Sequence, residues 1–233
     1  MIEVAPDVFD RLKKAGVPAV SQTLFGLGIM NAFIHGLAAA NPETCRFAGP
    51  AFTLRTIAMR EDIRAAIAGG KMLNPHRAAL ADVKPGEVII TDVGDCPRIS
   101  MFGDLISTHL LNIGAAAIVT DGGIADLPAM SSVPLPVFSA GSAPVPGGAR
   151  VVVVGSREPI NCRGVPVYAG DIIVGDPAGV VVVPRYLAAD VADKAIEKEQ
   201  IEAFLFERLQ AGAPLEGTYP PNAETLAAFK ARG

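Results

Sequence analysis

The spacing of apolar positions along the chain alternates between a helical and a strand-like period, and it does so in a definite order. Residues 5–15 carry apolar side chains at helical spacing, with Asp7, Lys13 and Lys14 on the outer face and Gly16 as the stop. A short helical piece around Thr23–Leu27 follows. Ala51–Ala58 (AFTLRTIA) alternates as a strand does, and Asp62–Ala68 returns to helical spacing before Gly69-Gly70. After the turn signal Lys84-Pro85-Gly86, Glu87–Thr91 (EVIIT) reads as a short buried strand. Leu105–Ile113 reads as a helix closed by Gly114, and Ala116–Thr120 as a second buried strand. Strand, helix, strand in that order predicts a parallel pair joined by a crossover. From Leu135 to Pro184 the pattern changes to short strands (PLPVF, ARVVVVG, GVPVY, DIIVGD, GVVVVP) punctuated by Gly and Pro, with no helix between them. Two C-terminal helices, about residues 185–212 and 222–231, complete an α/β layered chain without repeats or polar linkers, read as one domain over residues 1–233.

Composition narrows the class. Of the 233 residues 50% are hydrophobic and 19% charged, which is enough apolar surface to offset chain entropy and excludes a disordered chain. The net charge of −4 gives no reason to expect nucleic acid as a partner. No apolar run reaches the roughly 18 residues a membrane helix needs, and the N-terminus lacks a basic-then-apolar leader pattern. Cys45, Cys96 and Cys162 are odd in number and lack CxxC spacing, so a reduced, cytoplasmic setting is expected. The scarcity of charge beside so much Ala, Gly and Val points to surface covered by other subunits.

Candidate chemistry gathers at two strand ends. Glu87–Thr91 runs into Asp92 and Asp95; Ala116–Thr120 runs into Asp121-Gly122-Gly123-Ile124-Ala125-Asp126; Gly103-Asp104 opens the helix between them. Sites in open α/β sheets form at the carboxyl ends of strands. A helix N-terminus favours an ionised Asp104, and the glycines beside the acids let a ligand approach backbone N–H groups. Carboxylates converging without a basic partner suit a hard cation such as Mg²⁺. The plainer reading makes Asp104 and Asp126 helix caps and Asp121 a turn residue. In the C-terminal helix, Tyr186–Gln210 places Val191, Ala195, Phe206 and Leu209 on one stripe, with Glu202 at its centre and Glu199 on its flank. An acid there needs a partner, an exposed edge or a site to face. His76, in Asn74-Pro75-His76-Arg77, falls in a loop before the acidic strand; His35 and His109 carry no motif. No His/Cys set has zinc spacing, and no GxSxG elbow or GxGxxG fingerprint is present.

These residues together resemble the RraA-like superfamily, which holds the class II 4-hydroxy-4-methyl-2-oxoglutarate / 4-carboxy-4-hydroxy-2-oxoadipate aldolases and the RraA regulators of ribonuclease E. The resemblance rests on Gly103-Asp104, then 21 residues, then Asp126, within FGDLISTHLLNIGAAAIVTDGGIAD. It also covers AGPAFTLRT (Ala48–Thr56), the Pro166–Pro184 segment, and the helix carrying Glu202 before Gly212. It implies a swivelling α/β/β/α sandwich that assembles as a homotrimer or homohexamer, with C-terminal helices packing on a neighbouring subunit. It further implies Mg²⁺ or Mn²⁺ held by Asp126, Asp104 and a Glu from an adjacent subunit, matched by Glu202 with Glu199 as the fallback. Asp104 and Glu202 would then be catalytic, and Met101, Phe102, Gly103, Gly122 and Gly123 would border the substrate. One departure stands out: the aldolase motif has Arg directly before the metal-binding Asp, and this chain has Ala125. Arg98 is the sequence candidate for a replacement guanidinium. The expected activity is a divalent-metal-dependent carbon–carbon lyase, aldolase or oxaloacetate-type decarboxylase, acting on a small 2-oxo acid. The alternatives are a hydratase, hydrolase or isomerase over the same metal, or a non-catalytic protein-binding regulator.

Overall fold

A computed structural model describes residues 4–94, 96–130 and 132–232. Its elements, in chain order, are α1 (Pro6–Gly26), β1 (Phe33–Ile34), β2 (Ala38–Ala39), β3 (Phe47–Ala58), α2 (Glu61–Ala68), α3 (Pro75–Leu80), β4 (Val88–Asp92), α4 (Asp104–Asn112), β5 (Ala117–Thr120), α5 (Leu127–Met130) and β6 (Val137–Ser139). There follow β7 (Val151–Ser156), β8 (Ile160–Cys162), β9 (Val165–Val167), β10 (Ile172–Asp176), β11 (Gly179–Val183), α6 (Ala188–Gln210) and α7 (Ala223–Lys230).

The strands run β1-β11-β10-β3-β4-β5-β6-β2, with β7 also on β3 and a separate β8–β9 hairpin. The long strand β3 serves two sheets. Its first residues pair antiparallel with β10 (Phe47 opposite Gly175, Pro50 opposite Ile172). Its later ones pair parallel with β4, from Ala51 opposite Val88 to Arg55 opposite Asp92. The pair β4–β5 is parallel, as the crossover through α4 requires.

Strict alternation explains the layers. Ile172, Val174, Val181 and Val183 turn one way and pack on α1 and α6. Their neighbours Ile173, Val180 and Val182 turn the other way and meet Val88, Ile90, Ala117 and Val119 across the sandwich. Ile89 and Ile118 then face outward against Leu80 of α3 and Leu110 of α4. The order is therefore helices, sheet, sheet, helices: an α/β/β/α sandwich in which strands buried on both faces read as continuous apolar runs. The β8–β9 hairpin lends Ile160, Cys162, Val165 and Val167 to the central layer.

Gly16 does stop a helix, as its spacing indicated: at φ 80° and ψ 168° it breaks α1, and the chain then resumes as helix through Pro18 rather than waiting for Thr23. Arg11 of α1 ties back to both Asp7 and Asp193 of α6. The segment 74–77, expected to be a loop, begins the six-residue helix α3, capped by the Asn74 side chain on the N–H groups of His76 and Arg77. The α6 stripe is only half as expected. Val191 and Ala195 are buried against α1, but Phe206 is 62% exposed, and the distal half instead buries Phe204 and Leu205. The cause is α7, whose Phe229 sits on Phe204 with ring centres 5.7 Å apart, and whose following Arg232 pairs with Glu207. The first half of α6 thus packs on its own chain. No described helix is long and apolar enough to cross a membrane.

The junction of the two sheets tolerates no side chain at Gly49: a Cβ there would lie 2.4 Å from the Gly86 carbonyl oxygen and 3.1 Å from Val88. Gly49→Ala is expected to cost about 3 kcal/mol through overpacking against backbone, a fall of about 10 °C in Tm for a chain of this size, read by thermal denaturation followed by circular dichroism.

Candidate functional site

The site is built where two backbone segments are laced together beyond β4 and β5. The N–H of Gly123 donates to the Ile99 carbonyl at 2.8 Å and that of Ala125 to the Phe102 carbonyl at 3.0 Å. This pairing sets Gly103 directly against Ala125 and Asp126. A Cβ on Gly103 would stand 2.9 Å from Asp126 Oδ2 and 3.4 Å from the Ala125 methyl, so only glycine leaves that carboxylate its place. Gly103 also caps α4: its carbonyl accepts the Ser107 N–H, and Asp104 Oδ1 accepts the Leu105 N–H at 2.7 Å. Asp126 is exposed and holds φ 53°, a left-handed conformation that asparagine and aspartate adopt more readily than most residues. Asp126 therefore lies against Gly103, the residue directly before Asp104, and lends its carbonyl to the first turn of α5.

Other sequence candidates fall elsewhere. Asp121 is fully buried and its Oδ1 accepts the Val93 N–H at 2.7 Å, so it braces the two strand-end loops against each other. Asp92 accepts from the N–H groups of Gly94 and Asn161 and borders a separate depression with His35 and Arg163. Asp95 lies outside the described residues. Gly122 and Gly123 are packing residues rather than a ligand cradle. Their N–H groups go to Thr120 Oγ1 and Ile99, and a Cβ on Gly123 would come within 2.4 Å of the Ala143 methyl. Arg98 is exposed and faces another depression, shared with Cys96 and Arg150.

Glu202 is not with these acids in the same chain. It is half-exposed and sits 3.6 Å from Lys198, while its neighbour Glu199 is held above the usual carboxylate range by burial and by the charges of Glu202 and Asp176. Asp176 lies 3.7 Å from Arg46, at the start of β3. Because β3 runs parallel to β4, Arg46 and Arg55 lie at opposite ends, about 30 Å apart at the usual rise per residue. Glu202 and the exposed Phe206 project instead on the distal half of α6.

Next to Gly103 opens a cleft of about 420 Å³. It is lined by Met101, Phe102, Gly103 and Ala125, by Arg64 and Ile67 of α2, by His76 and Arg77 of α3, and by Val151–Val153. His76 is the residue the sequence offered from this segment as one that could face the site; Arg64 and Arg77 carried no such signal. The His76 ring meets Phe102 edge-on at 5.4 Å, its Nε2 is buried without a partner, and burial, with Arg77 adding, pushes its pKa down to about 4. Among the described residues no three His, Cys, Asp or Glu side chains converge as a metal centre. The two carboxylates flanking Gly103 are a donor set that suits Mg²⁺, which takes one or two carboxylates and fills its remaining positions with water and substrate oxygens.

His76 should remain neutral through the physiological range, titrating near pH 4 by imidazole NMR. An unfolded histidine takes up its proton near 6.5, whereas the folded one does not until about 4. The unfolded state therefore binds more protons in that window, and stability falls as pH drops from about 6.5 to 4. In His76→Gln the part of that slope due to His76 is expected to vanish in denaturant titrations run across the window.

Comparison with known proteins places this geometry. The family described as RraA-like (Aldolase/RraA) matches residues 5–182. A protein of Halalkalibacterium halodurans named "Putative 4-hydroxy-4-methyl-2-oxoglutarate aldolase" is 30% identical over 200 residues, covering 85% of this chain and 87% of its own. A solved structure from Pseudomonas syringae pv. tomato, titled an uncharacterized protein, superposes with a TM-score of 0.81 at 26% identity, covering 94% of this chain and 100% of its own. RraAS2 of Streptomyces coelicolor, described as an unusual member of the RNase ES inhibitor RraA protein family, gives 0.76 at 26% identity over 88% of this chain and 98% of its own. With the fold, the Gly103-Asp104 and Asp126 pairing and these matches in agreement, the chain belongs to the RraA-like family.

Proposed function

We propose that this chain is a divalent-metal-dependent lyase that breaks a carbon–carbon bond in a small 2-oxo acid, as an aldolase or an oxaloacetate-type decarboxylase. The observation that carries the reading is the contact of the Asp126 carboxylate with Gly103 at the mouth of the cleft, beside Asp104 and the start of α4. Mg²⁺ or Mn²⁺, when bound, would supply Lewis acidity to such a substrate. Asp126 and Asp104 are the residues that would hold it. Asp104 commits Oδ1 to the Leu105 N–H, which orients the side chain and leaves Oδ2 to hold or pass a proton. The α4 N-terminus favours negative charge developing next to Gly103. Met101 and Phe102 are almost wholly buried and exclude water from the wall behind the reacting atoms.

The third acid, in this reading, comes from a second copy. Glu202 and Phe206 project on the distal half of α6, away from the site of their own chain. A homotrimer or homohexamer would cover that surface and carry Glu202 to a neighbour's Asp104 and Asp126. A second reading, a regulator that acts by binding a protein partner, is favoured by one observation: Ala125 lines the cleft where the aldolase motif has arginine.

Pyruvate release from 4-hydroxy-4-methyl-2-oxoglutarate and from oxaloacetate, with Mg²⁺ or Mn²⁺ and with EDTA, separates the two. Turnover that EDTA abolishes supports the lyase; none with either substrate and either metal removes it. Asp126→Gly is expected to lower kcat/KM at least about 100-fold, a loss of about 2.7 kcal/mol of transition-state stabilisation, while Tm stays within about 3 °C, since glycine accepts the left-handed backbone. Ala125→Arg is expected to raise the aldolase rate by about 100-fold, the lower end of the usual worth of a donor aimed at developing negative charge. An unchanged rate would show that Arg98 or another group already does that job or that the site serves other chemistry.

A further inference from the structure

The lining of the cleft holds two cations and no anion. Gly103 and Ala125, which line it, sit against Asp126 and next to Asp104. From α2 and α3 come Arg64 and Arg77, and no aspartate or glutamate is among the described residues lining the cavity. Neither arginine enters an ion pair among the described residues. Arg60 is bonded to Asp62 at 2.6 Å, and His76, which lines the same cavity, is neutral. The N–H groups of His76 and Arg77 at the start of α3 are taken by the Asn74 side chain, so what α3 offers an anion is the Arg77 fork rather than its helix terminus. Two unpaired positive charges on the wall of a partly apolar cavity attract an anion, and a guanidinium matches a planar carboxylate with two parallel hydrogen bonds.

We infer that Arg64 and Arg77 form a carboxylate clamp that reads the far end of the substrate, so that the cleft selects 2-oxo acids bearing a second carboxylate. The orientation of the substrate rests on the lyase reading above; the clamp itself does not. With the 2-oxo acid head beside Gly103, its second carboxylate is left to Arg64 and Arg77, and its carbon chain to Met59, Ile67 and Val153, which also line the cavity. Arg64 and Arg77 act here as specificity-determining residues. Arg98 lines a different depression and takes no part.

Calorimetric titration of the full chain in EDTA with glutarate, which has two carboxylates and no keto group, tests the clamp without any metal or turnover. Glutarate should bind the unaltered protein, and Arg64→Gln and Arg77→Gln should each weaken it by about tenfold or more. Arg64→Lys should recover part of the loss, since a lysine restores charge but not the fork. Both arginines are exposed, so the variants should keep the Tm of the unaltered chain. Butyrate, with one carboxylate, should bind more weakly than glutarate and respond less to either variant. The clamp is overturned if glutarate fails to bind, if both glutamine variants bind it as tightly as the unaltered chain, or if 3-phosphoglycerate binds more tightly than glutarate, which would make the site a phosphate receptor. Loss of glutarate binding in the variants together with no metal-dependent turnover of any 2-oxo acid would keep the clamp and discard the lyase.

Discussion

Everything in this fold hangs on the register of β3. Four of its residues belong to an antiparallel sheet with β10, the next five to a parallel sheet with β4, and the switch happens within a single step from Pro50 to Ala51. A one-residue slip would turn Phe52 and Leu54 from the outer helical layer into the space between the sheets. It would also misplace the ends of β4 and β5, from which the Gly103 and Asp126 segments spring. Gly49, whose Cβ position is taken by the Gly86 carbonyl and the Val88 side chain, pins that register sterically.

The middle of the chain was legible because its signals were redundant. The stretch β4–α4–β5 announces itself by two apolar runs of strand length, a helical run between them and glycine stops, and the parallel pairing follows from handedness alone. The Gly103-Asp104 and Asp126 spacing was equally readable, since it depends only on local chain. What was not legible depends on contacts between distant segments. Asp121 looks like a site acid until Val93 is seen donating to it from another loop. Gly122 and Gly123 look like a ligand cradle until Ala143 is seen filling the space. The stripe on α6 was right only while α1 was its partner; once α7 takes over, burial moves to Phe204.

The basic half of the cleft was missed for a simpler reason. Asn74-Pro75 is as good a turn signal as it is a helix start, and six residues are too few for periodicity to decide. Sequence therefore pointed to Arg98, adjacent along the chain to the acidic motif, when the guanidinium groups that reach the cavity lie far upstream.

The two jaws of the cleft differ in how firmly they are seated. The acidic jaw is laced by backbone hydrogen bonds to Ile99 and Phe102 and keyed by the buried Asp121, so its shape is settled before any ligand arrives. The opposing jaw includes α2, a helix without a single buried residue. Such a helix can shift at small energetic cost. Any ligand in the cleft would thus meet a rigid template beside Gly103 and a yielding one beside α2, so its length at the α2 side should be discriminated far less sharply than its shape beside Gly103.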